Sequence, residues 1–312
     1  MEEESGMAVY IRDIVKAFNM RVYNEGPEDR AIDEIEINRC GLQLSGYFGC
    51  FEEKRVQMIG NAEDGYLGSL SEEQREKALE ALLKYNIPCI VMTNRHEVPD
   101  TLVKLARKHN RWVLGTDATT SRFHVELTVF LQNALAETIS MHGNLVDIYG
   151  VGVLITGNSG IGKSETSLDL IRNGHLLIAD DCVMIKKLGA NLLEGTGSEV
   201  TKNYMEIRGI GIININSLYG LSAIRIEKNI EVVINLEQWN ENEHYERVGM
   251  NYETTEILGV KLPYMRVPVK PGRNLAAIIE VAALNFRQNL MGNNSAMELD
   301  EKILMMNKKQ DA

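Results

Sequence analysis

One segment of this sequence combines glycines, a lysine and a hydroxyl in a spacing that binds phosphate. The segment consists of Gly157, Asn158, Ser159, Gly160, Ile161, Gly162, Lys163 and Ser164, and it matches G-x-x-x-x-G-K-[ST] in full. Glycines let backbone N–H groups converge on phosphate oxygens, the lysine reaches the β- and γ-phosphates, and the last hydroxyl ligates Mg²⁺. The chemistry indicated for this phosphate loop is therefore phosphoryl transfer from ATP.

The segments on either side of the phosphate loop have the patterns that such a loop requires. Val151–Thr156 reads as an apolar strand before it, and Glu165–Arg172 reads as a helix after it that ends at Gly174. A helix that begins at the loop adds the favourable dipole of its N-terminus to the phosphate site. The alternative is a glycine-rich strand–helix turn that binds nothing.

Two adjacent carboxylates follow the next predicted strand. Leu176–Asp181 is an apolar strand pattern that ends in Asp180 and Asp181. Strand ends in an open α/β sheet share the edge where ligands bind, and alternate strand residues point to opposite faces. We therefore expect one carboxylate to support the metal and the other to accept a proton from a hydroxyl nucleophile. The alternative is a pair of solvated turn carboxylates.

Three further features carry charge or an imidazole but are less informative. Glu206–Asn214 places two charges and a G-x-G in an apolar run, which indicates a bend, a close backbone approach or a plain buried strand. Pro268–Arg273 is a rigid turn with two cations, after which Asn274–Arg287 reads as a helix. From the residues alone, we expect these cations to be solvated and the isolated His142 to be structural.

The first part of the chain alternates strand and helix patterns, which predicts an α/β fold with a parallel sheet. Strand patterns lie within Ile35–Leu44, Arg55–Gly60, Ile87–Met92 and Trp112–Leu114, and helix patterns cover Ser71–Tyr85 and begin again at Pro99. Ser71 and Gln74 have the spacing of a capping box at the start of their helix. No catalytic constellation is visible in this half.

A division into two domains is expected near the middle of the chain. Gly115–Ser121 is the most turn-like stretch there and a candidate boundary, and Phe123–Ile139 has a helical pattern. The apolar residues that recur in this pattern are Val125, Val129, Leu135 and Ile139. We assign residues 1–130 to an N-terminal α/β domain and residues 131–312 to the domain that carries the phosphate loop.

The composition is that of a globular protein, and its acidic balance argues against a polyanionic partner, although a local basic patch could still be present. The 312 residues are 44% hydrophobic and 25% charged, with a net charge of −11, which argues against a nucleic-acid partner. The chain opens with the acidic MEEESGM and shows no apolar run that would span a bilayer, so we predict a cytoplasmic protein. The scattered cysteines, Cys40, Cys50, Cys89 and Cys182, are expected to be free thiols.

Taken together, five segments resemble the bifunctional HPr kinase/phosphorylase family of low-GC Gram-positive bacteria, and the resemblance covers essentially the whole chain. They are MHGNLVDIYGVGVLITGNSGIGKSE (141–165), LIADD (177–181), MEIRGIGIININSLYG (205–220), YERVG (245–249) and PVKPGRNLA (268–276). The resemblance implies an N-terminal α/β domain of undefined role and a C-terminal P-loop kinase domain similar to phosphoenolpyruvate carboxykinase.

The resemblance implies an enzyme that uses ATP and Mg²⁺ to phosphorylate a serine of HPr, the small phosphocarrier protein of the sugar phosphotransferase system. It also implies the reverse duty, in which inorganic phosphate removes the phosphoryl group and pyrophosphate is released. Both activities would serve carbon catabolite repression. The family further implies a homohexamer and fructose-1,6-bisphosphate as an effector.

The resemblance also assigns roles to individual residues. The catalytic positions are His142, Lys163, Asp180, Asp181, Arg247, Lys270 and Arg273. ATP would lie on the phosphate loop, Mg²⁺ on Ser164 and Glu206, and proton transfer in both directions on Asp181. Met205–Asn214 would serve both reactions, and Pro268–Arg273 mainly dephosphorylation. From the residues alone, His142 is expected to be structural and the cations of the 268–273 turn to be solvated. The resemblance instead implies that both have a function.

Three positions sit at variable points of the family pattern, and two rival functions stay open. Asn158 occupies a position where Asp or Lys also occurs, Cys182 stands where some members carry Arg, and Lys270 stands where Arg is common. These residues leave the balance of the two activities open. The rivals are a small-metabolite P-loop kinase and a regulatory module that binds ATP without chemistry. The module would need neither Asp181 nor Glu206.

Overall fold

The computed structural model describes residues 3–4, 8–94, 97–241, 253–294, 298–299 and 302. The chain divides into two compact units, one of residues 6–136 and the other of residues 137–312 with the first five residues. Strand β1 (Glu3–Glu4) belongs to the second unit. The expected domain boundary at residue 130 lies close to this division.

The first unit is an α/β fold. Its strands are β2 (Val9–Tyr10), β3 (Arg21–Asn24), β4 (Ala31–Ile32), β5 (Ile37–Arg39), β6 (Val56–Ile59), β7 (Cys89–Met92) and β8 (Trp112–Gly115). Its helices are α1 (Ile11–Ala17), α2 (Gly41–Leu44), α3 (Asn61–Ser69), α4 (Glu72–Leu83), α5 (Asp100–Lys108) and α6 (Thr120–Ala134). Strands β5, β6, β7 and β8 pair in parallel in that order, and β3 adds to β8 in the antiparallel sense. The predicted α/β fold with a parallel sheet is confirmed.

Alternate residues of the central strand β7 face two separate cores, as the two-residue period of a strand requires. Cys89 and Val91 pack with α1 and α6 on one side of the sheet, and Ile90 and Met92 pack with α4 and α5 on the other. Both faces of the sheet are therefore covered, which explains why β7 is a continuous apolar run.

None of the four cysteines, all of which are described, forms a disulfide. Cys40 and Cys89 are buried, and burial raises the pKa of each to about 12. Neither thiol is therefore a ready thiolate at neutral pH.

The helix expected at Phe123–Ile139 ends earlier than predicted, and its buried residues are not the apolar residues noted in the predicted pattern. Helix α6 stops at Ala134, and the second unit begins at Glu137. Apolar residues four apart, Phe123, Leu127 and Leu131, form the buried face, because positions i and i+4 lie on one side of a helix. Val125 and Val129 are exposed.

The candidate boundary at Gly115–Ser121 is also wrong. This stretch connects β8 to α6 inside the first unit. Its turn-like composition reflects a tight strand–helix connection, since Asn94 N donates to Ala118 O and Thr93 Oγ1 lies 2.7 Å from Thr120 Oγ1.

The second unit is built from two large sheets, a two-stranded hairpin and a helical layer. Its further strands are β9 (Thr138–His142), β10 (Asn144–Ile148), β11 (Val151–Gly157), β12 (Leu176–Ala179), β13 (Cys182–Leu188), β14 (Leu192–Gly197), β15 (Tyr204–Ile207), β16 (Gly211–Asn214), β17 (Glu227–Asn229), β18 (Val232–Gln238), β19 (Glu253–Ile257) and β20 (Val260–Val269). Its helices are α7 (Lys163–Arg172), α8 (Ile215–Tyr219) and α9 (Leu275–Leu290), with a 3-10 turn at Leu221–Ala223.

The six-stranded sheet of this unit carries the phosphate loop. Its strand order is β12-β10-β11-β18-β20-β19, with β11, β18 and β20 parallel to one another. Helices α7 and α9 pack on one face of it. The antiparallel sheet β1-β9-β13-β14-β17 packs on the other face through residues such as Leu154, Ile185 and Leu193. No helix in the described part of the chain is long and apolar enough to cross a bilayer.

Candidate active site

The phosphate loop connects β11 to α7, as the sequence predicts. Gly157 and Gly160 have φ values of 142° and 78°, which side chains other than glycine rarely adopt. A methyl group at Gly157 would lie 2.4 Å from the Leu236 carbonyl oxygen, so the loop follows a path that only glycine allows. Helix α7 begins at Lys163 and directs its N-terminal N–H groups toward the loop.

Strand direction explains why the loop and the two carboxylates meet. Strand β10 lies between β11 and β12 and is antiparallel to both, so β11 and β12 run in the same direction. Their carboxyl ends, which lead into Gly157 and Asp180, therefore lie at the same edge of the sheet. The start of β10 at Asn144 lies at this edge too, and β9 ends just before it at His142.

An open cleft occupies this edge. Its lining consists of His142, Ser159, Gly160, Gly162, Lys163, Ser164, Glu165, Asp180, Asp181, Glu206 and Arg208. The structure thus brings together phosphate-loop residues, both adjacent aspartates, His142 and Glu206 from four separate parts of the sequence.

Asp180 and Asp181 have different surroundings, as expected from their adjacent positions. Asp180 is buried, with Oδ1 2.7 Å from Asn144 Nδ2 and Oδ2 3.2 Å from Glu206 N. Burial raises the pKa of Asp180, and hydrogen bonds from Ser164, Glu206 N and Asn144 oppose that rise. Asp181 instead exposes 72% of its side chain, so it is the carboxylate that a hydroxyl group can approach.

His142 connects Asp181 to the lysine of the phosphate loop. His142 Nδ1 lies 3.0 Å from Asp181 Oδ1, and His142 Nε2 lies 3.0 Å from Lys163 Nζ. Because the ammonium group only donates, its contact requires Nε2 to accept, and Nδ1–H then donates to Asp181. The imidazole thus aligns a candidate proton acceptor with a candidate phosphate ligand.

Lys163 is buried beside the loop that it serves. Its Nζ donates to the carbonyl oxygens of Gly157 at 2.9 Å and Asn158 at 3.3 Å. Burial lowers the pKa of Lys163, while the charges of Asp181, Asp180 and Glu165 act in the opposite direction.

The donors near the loop suit a divalent cation that is shared with phosphate. In the described residues, no group of three or more His, Cys, Asp and Glu side chains could hold a metal ion. The Ser164 hydroxyl and the Glu206 carboxylate line the cleft together, and both are hard oxygen donors. Mg²⁺ commonly uses one or two such protein ligands and completes its coordination with phosphate oxygens and water, so these residues fit that ion.

Glu206 and Arg208 reach the cleft from a β-hairpin. Strands β15 and β16 pair antiparallel around a turn at residues 208–210, which is the bend that the G-x-G indicated. A methyl group at Gly160 would lie 2.9 Å from Arg208 Nη1, so the guanidinium covers the phosphate loop where glycine leaves room. Arg208 makes no ion pair with another described residue.

The two cations of the 268–273 turn lie outside the lining of the cleft. Lys270 Nζ lies 4.5 Å from the centre of the Trp239 ring, and Arg273 Nη1 donates to Pro268 O at 2.9 Å. Neither residue lines the cleft. Arg247, which the family resemblance places in the active site, lies outside the described residues.

Sequence reasoning missed two residues of this site. Arg208 was noted only as a charge in an unusual run, although its proximity to Glu206 and two glycines was a usable signal. Asn144 was not noted at all. Its signal is a single amide at the start of the buried strand Asn144–Ile148.

Two family models together match nearly the whole chain. The model described as HPr Serine kinase N terminus matches residues 9–131, and the model described as HPr Serine kinase C-terminal domain matches residues 133–303.

Curated relatives are similar over the same length. A protein of Clostridium perfringens named HPr kinase/phosphorylase is 42% identical over 299 residues, covering 96% of this chain and 97% of the relative. A protein of the same name from Caldicellulosiruptor bescii is 43% identical over 292 residues, covering 93% of this chain and 94% of the relative. A solved structure of the Hpr(Ser) kinase/phosphatase from Coxiella burnetii is 37% identical, covers 52% of this chain and 98% of that one, and has a TM-score of 0.47.

Proposed function

The chain belongs to the HPr serine kinase family, and from that premise we propose how its cleft performs phosphoryl transfer. It is an enzyme that phosphorylates HPr on a serine with ATP and that also acts as a phosphorylase on the product. The observation that carries the proposal is the continuous contact from Lys163 through His142 to Asp181 beside the phosphate loop.

In the kinase direction, the serine oxygen of HPr attacks the γ-phosphorus of ATP. A serine O–P bond forms, the bond from that phosphorus to the bridging oxygen breaks, and ADP leaves. The exposed carboxylate of Asp181 accepts the serine proton, and His142 holds this carboxylate in place. Lys163 and backbone N–H groups of the loop stabilise charge on the phosphate oxygens. Ser164 and Glu206 would hold Mg²⁺, which when bound neutralises phosphate charge.

In the phosphorylase direction, an oxygen of inorganic phosphate attacks the phosphorus of phosphoserine. The P–O bond to serine breaks, the serine oxygen takes a proton from Asp181, and pyrophosphate is released. One carboxylate serves both directions because the base of one reaction is the acid of its reverse. Lys270 and Arg273 are proposed to assist the incoming phosphate, and Arg247 the transferring group, as in the family pattern.

The test is to mix the purified protein with HPr, Mg²⁺ and ATP and to follow HPr by intact mass. Excess phosphate is then added, and pyrophosphate is measured. We expect one phosphoryl group to appear and then to be lost with formation of pyrophosphate. HPr whose acceptor serine is replaced by alanine is the control. An absence of transfer to HPr would favour the rival metabolite kinase, and ATP binding without turnover would favour a regulatory module.

We also propose a cytoplasmic homohexamer that fructose-1,6-bisphosphate stimulates and that controls carbon catabolite repression. The support is family membership and the use of ATP. Light scattering of the 35.1 kDa chain in solution would give its oligomeric state. Kinase rates at limiting ATP, with and without fructose-1,6-bisphosphate, would test stimulation, and an unchanged rate would contradict it.

A further inference from the structure

The amide of Asn144 contacts both aspartates of the cleft. Its Nδ2 donates to Asp180 Oδ1 at 2.7 Å, and its Oδ1 accepts from Asp181 N at 3.2 Å. A third hydrogen bond runs from Nδ2 to Ser167 Oγ of α7 at 2.9 Å. Asn144 is fully buried, so these protein groups rather than solvent satisfy its amide.

The orientation of this amide follows from its partners. The Asp180 carboxylate only accepts when ionised, and the Asp181 N–H only donates. A flipped amide would set its oxygen against the carboxylate and its NH₂ against the N–H. The side chain therefore has one stable placement, and it spans the two carboxylate-bearing residues.

Asp181 needs such support because its backbone is in an unfavourable region. Its φ of 66° is left-handed, which is uncommon for a residue other than glycine. Asn144 Oδ1 binds its N–H, and Gly143 N donates to its carbonyl oxygen at 3.0 Å. The contact between His142 and the Asp181 carboxylate depends on this backbone conformation, since it sets the direction of the side chain.

We propose that Asn144 is a positioning residue for phosphoryl transfer, because its buried amide fixes the Asp180 and Asp181 carboxylates relative to each other and to the phosphate loop. The inference rests on the proposed function. Asn144 does not line the cleft, so it acts through the two aspartates and not by touching substrate.

The test compares Asn144→Leu with Ser167→Ala in the full-length protein. Ser167→Ala removes only the hydrogen bond from the same amide to α7 and leaves both aspartate contacts. We expect Asn144→Leu to lower kcat for HPr phosphorylation about 10- to 100-fold, because small displacements of catalytic groups cost that much. KM for ATP should change less than about threefold, since the phosphate loop is intact. Ser167→Ala should keep kcat within about threefold of the original.

A purely structural role for Asn144 gives a different pattern. Both variants would then lose thermal stability while kcat of the folded fraction stayed near the original value, which would overturn the proposal. If Asn144→Leu does not fold, Asn144→Ser replaces it, because the smaller polar residue leaves room for water, and the same kcat loss is expected.

A double-mutant cycle with Asp181→Asn tests whether the effect passes through Asp181. We expect the double variant to be no slower than Asp181→Asn alone. Multiplying losses would show that Asn144 does not act through Asp181 and would overturn its proposed role in positioning that residue. The original protein is assayed beside them, and its failure to phosphorylate HPr would count against the proposed function rather than against the role of Asn144.

Discussion

Adjacent residues in this cleft differ because each meets a different environment. Asp180 is buried and accepts hydrogen bonds from the Asn144 side chain and from Glu206 N. Asp181 is exposed to solvent and has His142 beside it. A carboxylate that is held by several donors is suited to organise a site, and an exposed one is suited to exchange a proton. The proposed division of labour between the two therefore follows from their contacts.

The first residue-scale prediction concerns proton transfer. Asp181→Asn should lower the rates of HPr phosphorylation and of phosphorolysis by about 10²- to 10⁴-fold, because the amide cannot accept the serine proton. Steady-state assays in both directions measure this. Asp169→Asn, an exposed carboxylate on α7, is the control and should leave both rates unchanged. Full activity of Asp181→Asn in both directions would disprove the assignment.

The second residue-scale prediction concerns phosphate binding by Arg208. Its guanidinium lies over Gly160 without an ionic partner among the described residues, and charge-assisted hydrogen bonds to phosphate contribute about 1.5–3 kcal/mol. Arg208→Gln should therefore weaken ATP binding about 10- to 100-fold, measured by calorimetry. Arg208→Lys should retain part of the affinity for ATP, since lysine keeps the positive charge but lacks the planar guanidinium group that binds phosphate with two hydrogen bonds.

Arg172→Gln serves as the control for net charge in that experiment. Arg172 lies at the end of α7 and is exposed, with Asp169 3.3 Å away. If Arg208→Gln and Arg172→Gln lowered the affinity for ATP equally, ATP binding would depend only on the overall charge of the protein.

At the scale of elements, the helix termini follow local rules that the sequence displays. Ser71 Oγ accepts from Gln74 N at 3.3 Å, and Gln74 Oε1 accepts from Ser71 N at 3.1 Å, which is the predicted capping box of α4. The buried residues Leu79, Leu82 and Leu83 then share one face of this helix. The cap and the apolar face together fix where α4 starts and how it packs.

Removal of this cap should destabilise the first unit measurably. Ser71→Ala should lower the free energy of unfolding by about 1 kcal/mol, and Ser71→Gly by only a few tenths. Urea denaturation followed by the fluorescence of the buried Trp112 measures this, in a Trp239→Phe background that removes the other tryptophan. An unchanged midpoint in Ser71→Ala would show that the cap contributes nothing.

At the scale of the whole molecule, each unit has its own hydrophobic cores. Trp112 lies in a core of the first unit with residues such as Met58 and Phe123. The cleft belongs to the second unit, whose cores contain residues such as Ile155 and Leu154. A ligand of the cleft should therefore stabilise the second unit selectively.

ATP with Mg²⁺ should raise the unfolding midpoint that Trp239 reports and leave the one that Trp112 reports unchanged. Ligand at 100 times its dissociation constant adds about 2.7 kcal/mol to the state that binds it. Single-tryptophan variants, Trp112→Phe and Trp239→Phe, separate the two signals. Equal shifts of both midpoints would show that the units unfold as one.

The sequence by itself determined the features that depend on neighbours in the chain. The phosphate loop, the strand before it, the helix after it and the cap of α4 all follow from local spacing and periodicity. Periodicity alone did not show which residues of α6 are buried. The segment contains two sets of regularly spaced apolar residues, and only the set of Phe123, Leu127 and Leu131 is buried in the folded unit. The end of α6 at Ala134 was decided by the β-pairing of the next segment with β13.

Only the tertiary structure decided the arrangement of the cleft. Asn144 and Asp180 are 36 positions apart, and Lys163 and His142 are 21 apart, so no local pattern links them. Family resemblance pointed to His142, but the antiparallel placement of β10 between β11 and β12 is what brings these side chains to one edge. The shared edge for Asp180 and Lys163 follows from that pairing, and the reach of Arg208 to Gly160 depends on the separate β15–β16 hairpin, because contacts between distant residues exist only after the strands have paired.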